Sequence, residues 1–356
     1  MFSPLSCLVI LIIAISLEQP PICYTMYSIK MTELMMKAAQ ISGYGGQEVL
    51  KVTADAPQPT AAKGQVLVEV RSAGVNPFDI TVCEGRARQM AELNFPATLG
   101  GDFAGVVSEL GEGVTGFEVG QDVYGQASPL SGNGSFAELT PVKTTQLAGK
   151  PTSIDFTTAA GLPLVSVSAY QALVDHMNLQ AGQKILVHGG AGGIGSMAIQ
   201  LAKHLGTYVA TTARTDEADF VKSLGADEVI DYETQDFSEL LKDYDAVFDT
   251  VGGETNAKSY KILKDGGALV SMLAPPDEAL VKQKNLNYTA QFTQVTTERL
   301  AKVTELVDQG ILKANIDKVF PLDQAAEALE YLKTGHPRGK VVIQIKEVIN
   351  GVPDET

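Results

Sequence analysis

The chain has 356 residues, of which 45% are hydrophobic and 19% charged, a composition typical of a soluble protein with a sizeable core and about two domains. Its formal net charge at pH 7 is −15, from 27 basic and 42 acidic residues, and Lys and Arg form no run. These values exclude a disordered tail. They also argue against nucleic acid as a partner, because binding to phosphate backbones needs clustered positive charge.

Residues 1–35 are unlike the rest of the chain. Their apolar stretch, Leu5–Leu17, is shorter than the roughly 20 residues that a membrane-spanning helix needs. Export is the alternative, but no basic residue precedes the stretch and no small-residue cleavage site follows before Pro20. Two of the three cysteines, Cys7 and Cys23, lie here, which leaves no disulfide framework for a secreted domain. We therefore expect a later start, at Met26, Met31, Met35 or Met36, no membrane insertion and a cytoplasmic location.

The remaining sequence predicts two kinds of structure. In residues 36–155, short apolar runs alternate with glycine turns, which indicates β-structure with little helix. In residues 156–291, strand-like and helix-like segments alternate, which predicts a parallel sheet with helices on both faces. Residues 292–349 contain two predicted helices and a last apolar strand, KVVIQI. We expect this strand to return to the first sheet, because an unpaired strand would expose its edge.

A glycine-rich loop follows the predicted strand Lys184–Val187 and opens an amphipathic helix. Its spacing is G-x-G-x-x-G, which allows a tight turn, close approach of the backbone to a pyrophosphate and close packing of helix on strand. The free N–H groups at the helix start favour an anion. The loop therefore predicts a dinucleotide site, with the contacts Gly190, Ala191, Gly192, Gly193, Ile194 and Gly195.

Around this loop the chain resembles the zeta-crystallin-type quinone oxidoreductases of the medium-chain dehydrogenase/reductase superfamily. The match centres on residues 182–203 (GQKILVHGGAGGIGSMAIQLAK). Further matching segments are 73–79 (AGVNPFD), 134–138 (GSFAE), 169–173 (AYQAL), 224–227 (LGAD), 248–253 (FDTVGG) and 338–342 (RGKVV). The resemblance covers about residues 36–345 and leaves the N-terminal segment unmatched.

The resemblance implies an α/β fold in which a GroES-like β-rich catalytic domain is interrupted by a doubly wound Rossmann domain. The first domain would comprise residues 36–155 and 292–349 and the NADP-binding domain residues 156–291, with the cofactor in the cleft between them. The resemblance also implies that the nicotinamide side of the cofactor site is lined by Ser168, Val251, Gly252 and Leu273. It places Lys340 facing the cofactor cleft.

The second strand of the parallel sheet indicates which nucleotide binds. NAD-binding domains hold the ribose 2′-hydroxyl with an acidic residue at the tip of this strand, where this chain has Thr212. Arg214 follows and is placed to pair with a 2′-phosphate, which favours NADPH. The alternative is that Arg214 is a solvated surface charge. Lys222, two turns further on, is a candidate for a weaker contact.

The positions that hold zinc in related dehydrogenases carry other residues here. Asn76 stands in place of a cysteine, and Gly101 and Asp102 stand in place of His-Glu. Cys83 is the only cysteine within the predicted fold, and one thiol with no His or Cys cluster cannot form a zinc site. The four histidines show no metal-binding spacing. The sequence therefore predicts no metal.

Without a Lewis acid, the predicted reaction is hydride transfer from NADPH directly to a quinone or a similar electron-poor acceptor. Asn76, held extended by Pro77, and Tyr124 are candidate catalytic residues near the substrate, and Asp79 is a candidate for orienting the turn around them. Each of the three has a purely structural reading as well.

Two alternatives stay open. One is an NADPH-dependent reductase of alkenal or enoyl double bonds, with Tyr44 as a proton donor. The other is a non-catalytic NADPH-binding protein. The strand-like segment Leu286–Phe292 suggests pairing across a two-fold axis, so we expect a homodimer.

Overall fold

A computed structural model describes residues 34–334 and 336–346. The predictions for Leu5–Leu17, Cys7 and Cys23 concern residues outside these ranges. Across the part of the chain that is described, no helix is both long enough and apolar enough to cross a bilayer.

The described chain forms sixteen strands and ten α-helices. The strands are β1 (Met35–Ile41), β2 (Leu50–Pro57), β3 (Gln65–Val75), β4 (Ala97–Thr98), β5 (Asp102–Leu110), β6 (Asp122–Gln126), β7 (Leu139–Lys143), β8 (Leu147–Gly149), β9 (Lys184–Val187), β10 (Tyr208–Ala213), β11 (Glu228–Asp231), β12 (Tyr244–Asp249), β13 (Leu263–Ser271), β14 (Asn287–Ala290), β15 (Ile316–Pro321) and β16 (Lys340–Gln344). The helices are α1 (Pro77–Cys83), α2 (Phe156–Ala160), α3 (Pro163–Tyr170), α4 (Gly193–His204), α5 (Ala218–Ser223), α6 (Phe237–Leu240), α7 (Gly253–Ile262), α8 (Glu278–Gln283), α9 (Thr297–Asp308) and α10 (Ala325–Thr334).

The β-rich part contains a seven-stranded sheet and a small three-stranded one. The larger sheet has the order β15-β16-β3-β5-β6-β8, with β7 also beside β3, and the smaller has the order β2-β1-β4. The last strand does return to the first domain: β16 runs antiparallel to β3, with Val342 opposite Gly74. This confirms the prediction from its apolar sequence, because pairing with β3 and β15 leaves neither edge of β16 exposed.

The second sheet has six parallel strands in the order β11-β10-β9-β12-β13-β14. This is the order of dinucleotide-binding domains, whose ligand lies beyond the carboxyl ends of the strands where the strand order reverses. That switch point falls between β9 and β12. Alternate residues of β9 are buried on opposite faces of the sheet, Ile185 and Val187 in one core and Leu186 in another. The predicted α/β fold class is therefore confirmed.

A hydrophobic core shared by the two large sheets joins them. Tyr124 from the seven-stranded sheet belongs to the same core as Val187 and Ile199. Helix α9 contributes Leu300 and Val303 to this core, and β16 contributes Val342. Helix α10 packs in the core of the β-rich part. The boundaries predicted at 155/156 and 291/292 stay predictions.

A candidate nucleotide cleft and its buried polar cluster

The glycine loop lies at the switch point, between β9 and α4. A Cβ atom on Gly190 would lie 2.0 Å from Thr211 Oγ1, and one on Gly195 would lie 2.2 Å from the carbonyl oxygen of Gly189. These two positions need glycine for internal packing. A Cβ on Gly192 would meet only the same carbonyl oxygen, at 3.4 Å. The middle glycine therefore borders open space, as a cradle for a bound pyrophosphate requires.

The segment before β16 closes one side of this loop. The amide of Gly339 donates to the carbonyl oxygen of Ala191 at 2.9 Å. A Cβ on Gly193 would lie 3.1 Å from Lys340 Cδ and 2.9 Å from Val165 Cγ1. The loop of one sheet therefore contacts the last strand of the other, at the place where the cofactor cleft is expected.

A buried polar cluster lies beneath this contact. Lys340, only 4% exposed, donates from Nζ to the Val75 carbonyl oxygen at 2.8 Å and to Asn76 Oδ1. Asn76 Nδ2 donates to Asp102 Oδ2 at 2.9 Å. An ammonium only donates and a carboxylate only accepts, so the orientation of the Asn76 amide is fixed. Asp102 also accepts from the Leu164 amide at 3.1 Å.

Burial sets the electrostatics of the cluster. Desolvation raises the pKa of Asp79 to about 7, although its Oδ2 accepts a 2.8 Å hydrogen bond from the Asn76 amide. Burial likewise raises the pKa of Asp102, and the nearby Lys340 ammonium opposes that shift. Burial lowers the pKa of Lys340, and the two carboxylates oppose it. The only ion pair here joins Lys340 Nζ and Asp102 Oδ2, at 3.9 Å, among the groups that the structure describes.

The structure brings Asn76 and Asp79 together with Lys340, and the backbone of Asn76 is extended (φ −132°, ψ 153°) as Pro77 predicts. Sequence reasoning considered Asp102 only as a replaced zinc position and missed it as the partner of Asn76. An acidic residue that starts an apolar strand, DFAGVV, is the signal that could have found it, because a buried carboxylate must have partners.

Tyr124 has other partners than this cluster, and its burial corrects the expectation that it faces substrate. Its side chain is completely buried. Its hydroxyl donates to the Leu300 carbonyl oxygen at 2.7 Å and accepts from Thr304 Oγ1 at 3.0 Å. Burial raises the pKa of Tyr124 far above its usual value. Tyr124 therefore connects β6 to helix α9.

Thr212 lies at the end of β10, as predicted. It is 4% exposed, and its Oγ1 accepts from the Gly189 amide at 3.1 Å and lies 3.2 Å from His188 Nδ1. The hydroxyl therefore has two protein partners beneath the loop, and a contact of Thr212 with the nucleotide stays a prediction.

The acidic residues that follow β10 hold Arg214. Its guanidinium donates to Glu217 Oε1 at 3.0 Å, and its Nε lies 3.4 Å from Asp216 Oδ1. That Nε is buried without a hydrogen-bond partner in the described chain. Arg338, which the sequence reasoning missed, donates to Asp216 Oδ2 at 2.9 Å. Lys222 is exposed on α5, and its side chain takes part in none of the hydrogen bonds and ion pairs found among the described residues. The structure thus brings two arginines together beside the Asp216 carboxylate.

Replacing Arg214 with alanine is expected to weaken NADPH binding by about 10- to 100-fold, the worth of a charge-assisted contact to a phosphate. NADH binding should hardly change. Fluorescence titration with each nucleotide measures both affinities, and Arg86→Ala, which removes an arginine paired with Glu84 at 2.7 Å on the β-rich part, is the control. Equal losses for both nucleotides would contradict the role assigned to Arg214.

Three of the residues implied for the nicotinamide side meet at the carboxyl ends of β12 and β13. Val251 and Leu273 are 50% and 68% exposed. Gly252 has φ +79°, and a Cβ there would lie 3.0 Å from Leu273 Cβ. The amides of Val251 and Gly252 both donate to Asp249 Oδ1. This arrangement leaves an apolar surface open to a flat ring.

Ser168 is buried on α3 next to this surface. Its Oγ donates to the Leu164 carbonyl oxygen and pairs with Thr293 Oγ1, both at 2.7 Å. Its carbonyl oxygen accepts from Gln291 Nε2 at 3.0 Å. Ser168 therefore fixes the segment after β14 against α3.

Tyr44, the candidate proton donor of the alternative function, lies in the loop after β1. Its ring packs edge-on to Phe95, with 4.9 Å between centroids, and the Arg88 guanidinium lies 3.9 Å from the ring centroid. Its hydroxyl oxygen accepts from the Leu93 amide at 2.9 Å. No acceptor for the hydroxyl proton is found among the described residues.

Comparisons with known proteins identify the family. An Alcohol dehydrogenase GroES-like domain model matches residues 62–152, and a Zinc-binding dehydrogenase model matches residues 224–343. The chain is 38% identical over 320 residues to an Arabidopsis thaliana protein named NADPH-dependent alkenal/one oxidoreductase, chloroplastic, which covers 86% of this chain and 79% of that protein. The chain belongs to the medium-chain dehydrogenase/reductase superfamily. The predicted family is therefore confirmed.

Solved structures agree with this membership. A quinone oxidoreductase from Coxiella burnetii is 36% identical, with a TM-score of 0.82, over 88% of this chain and 100% of that one. The Escherichia coli quinone oxidoreductase complexed with NADPH is 26% identical, with a TM-score of 0.78, over 87% and 100%. This superfamily member is an NADPH-dependent oxidoreductase, which confirms the predicted cofactor.

The zinc that one matching description names does not fit the residues present. Within residues 34–334 and 336–346, no group of three His, Cys, Asp or Glu side chains is placed to hold a metal ion. Cys83 is buried, and burial raises its thiol pKa to about 11, so the thiolate that zinc needs is disfavoured. The Asn76 amide and the Lys340 ammonium lie next to Asp102. The positive charge of Lys340 would repel Zn²⁺ at this position.

Proposed function

We propose that the protein reduces an electron-poor conjugated carbonyl compound, with quinones as the leading class, by a zinc-independent reaction. Bound NADPH supplies the hydride. The proposal is carried by the buried cluster of Lys340, Asn76 and Asp102. These side chains occupy the place where related dehydrogenases bind zinc, and they are hydrogen-bonded to one another. A simple aldehyde or ketone reacts faster when a Lewis acid polarises its carbonyl group, whereas a quinone is electrophilic by itself.

The chain's own residues have three roles in this proposal. The loop from Gly190 to Gly195 binds the pyrophosphate, and Arg214 and Arg338 bind the phosphate at the adenosine end. Val251 and Leu273 offer an apolar surface that orients a flat ring and excludes water. Asn76 is fixed at both ends of its amide, so it holds the wall of the cleft in one geometry.

A second candidate is reduction of the double bond of an alkenal or alkenone. Tyr44 favours this reaction, because its hydroxyl oxygen accepts a hydrogen bond from the Leu93 amide. No acceptor for its hydroxyl proton is found among the described residues, so the proton is available for a substrate. The printed name of the Arabidopsis thaliana relative describes this activity for that protein. Proton transfer from the Tyr44 phenol to the substrate would speed the reduction of an enone and would hardly change the rate with a quinone.

We also infer a homodimer in the cytoplasm. Strand β14 is an edge strand, paired with β13 alone among the strands described, and it lies within the segment predicted to pair across a two-fold axis. Light scattering on the purified protein measures the assembly.

An acceptor screen with NADPH tests the proposed reaction. Quinones, alkenals and saturated aldehydes are compared side by side, with and without EDTA, and zinc is measured by elemental analysis. We expect quinones to react fastest, aldehydes to react slowest, no stoichiometric zinc and no loss of activity in EDTA. Aldehydes reacting fastest, or activity that EDTA removes and zinc restores, would overturn the proposal.

The same screen with Tyr44→Phe separates the two acceptor classes. If alkenals are the substrates, the variant should lose about 100-fold or more of their turnover, within the range of general acid catalysis. Quinone reduction should persist. Arg86→Ala again serves as the control for a general loss of folding.

A further inference from the structure

His188 is a buried titratable side chain that the proposed reaction does not use. It lies between the end of β9 and the glycine loop, and it is completely buried. Its Nδ1 lies 3.2 Å from Thr212 Oγ1 and its Nε2 lies 3.0 Å from Ser259 Oγ. The ring packs edge-on to Phe237, with 4.6 Å between centroids. The imidazole thus connects the loop to helix α7.

The partners of the ring decide which nitrogen carries the proton. Ser259 Oγ donates to the Thr255 carbonyl oxygen at 2.7 Å, so its oxygen is left to accept from His188 Nε2–H. Nδ1 is then an acceptor, and the Thr212 hydroxyl donates to it. The Thr212 oxygen accepts in turn from the Gly189 amide. One chain of hydrogen bonds therefore runs in a single direction from the Gly189 amide to the Thr255 carbonyl.

Further bonds hold the same turn of the loop. The Gly190 amide donates to the Thr212 carbonyl oxygen at 3.0 Å, and Thr250 Oγ1 donates to the His188 carbonyl oxygen at 2.7 Å. Gly189 itself has φ +67°, a conformation that few residues other than glycine adopt. The first turn of the loop is thus fixed to both neighbouring strands, β10 and β12.

We propose that His188 is a positioning residue for NADPH, which fixes the Thr212 hydroxyl under the first turn and so orients the loop amides before the nucleotide arrives. This inference depends on NADPH binding at the loop and not on which acceptor the enzyme reduces. An apolar side chain at position 188 would leave the hydroxyl of Thr212 buried without its acceptor, which is costly. Burial also lowers the pKa of His188 to about 4, and Asp249 opposes the shift, so the ring is neutral at neutral pH.

Nucleotide titration of two variants tests the inference. His188→Phe keeps an aromatic ring against Phe237 and removes both nitrogens, and Thr212→Val removes the hydroxyl at nearly constant volume. Each is expected to raise the Kd for NADPH, measured by fluorescence, about tenfold, the worth of one buried hydrogen bond. The KM for NADPH should rise in parallel, with kcat at saturating NADPH within about twofold. His204→Phe, an exposed histidine on α4, is the matched control.

Because both residues act through one chain of bonds, the double variant should bind NADPH no more than about twofold worse than either single variant. His188→Asn, which can still present an acceptor to Thr212, should recover most of the affinity. Nitrogen NMR of the nucleotide-free protein should show the proton on Nε2. Additive losses, an unchanged Kd, or a proton on Nδ1 would overturn the proposal. If His188→Phe does not fold, Thr212→Val and the NMR signature decide it.

Discussion

Gly192→Ala is expected to abolish most NADPH binding and to leave the stability of the nucleotide-free protein unchanged. The backbone at Gly192 has φ −75° and ψ 174°, which any residue adopts. An added Cβ meets only the Gly189 carbonyl oxygen, at 3.4 Å. The methyl group therefore enters the space that the pyrophosphate needs. Loss of two charge-assisted bonds from backbone amides weakens binding by about 100-fold or more.

Gly195→Ala is the matched variant with a different expected outcome. Its Cβ would lie 2.2 Å from the Gly189 carbonyl oxygen, so helix α4 and the end of β9 must move apart. This should lower the free energy of unfolding by about 1–3 kcal/mol as well as weaken NADPH binding. Thermal unfolding without nucleotide and NADPH titration separate the two effects. If both variants destabilise the protein equally, the assignment of the middle glycine to the ligand is wrong.

Lys340→Met is expected to lower the free energy of unfolding by about 3–5 kcal/mol, the loss typical when one partner of a buried ion pair is removed. The substitution leaves the completely buried Asp102 carboxylate without its cation. It also removes the donor to Asn76 Oδ1. The wall of the cleft should loosen, and activity should fall with stability.

A second substitution isolates the cause. Asp102→Asn together with Lys340→Met removes both members of the ion pair, and we expect this double variant to regain most of the lost stability, because the buried Asp102 carboxylate no longer stands without its cation. Asp79 keeps its hydrogen bond from the Asn76 amide. Lys333→Met is the control: Lys333 pairs with Glu84 at 3.0 Å on the surface, where such pairs contribute about 1 kcal/mol or less. Denaturant unfolding measures all three. No recovery in the double variant would show that the packing of the Lys340 side chain, and not its charge, matters.

The sequence by itself determined the features that depend on neighbouring residues. The glycine spacing after an apolar strand predicted the loop, because Gly195 packs against Gly189 and Gly190, a few residues earlier in the chain. The parallel sheet followed from the alternation of strands with helices, because successive parallel strands need a crossover connection, usually a helix. The return of the last strand followed from the need to cover its edges.

Only the tertiary structure decided where the polar side chains point. Tyr124 was expected to face substrate, but its hydroxyl is bonded to groups of helix α9, and the Thr212 hydroxyl has partners beneath the loop. Asn76 and Lys340 are 264 residues apart in the chain, and no local pattern records that they meet. A buried polar group needs a partner, yet its sequence does not say which of the distant groups will supply it. That choice is made when the two sheets pack together.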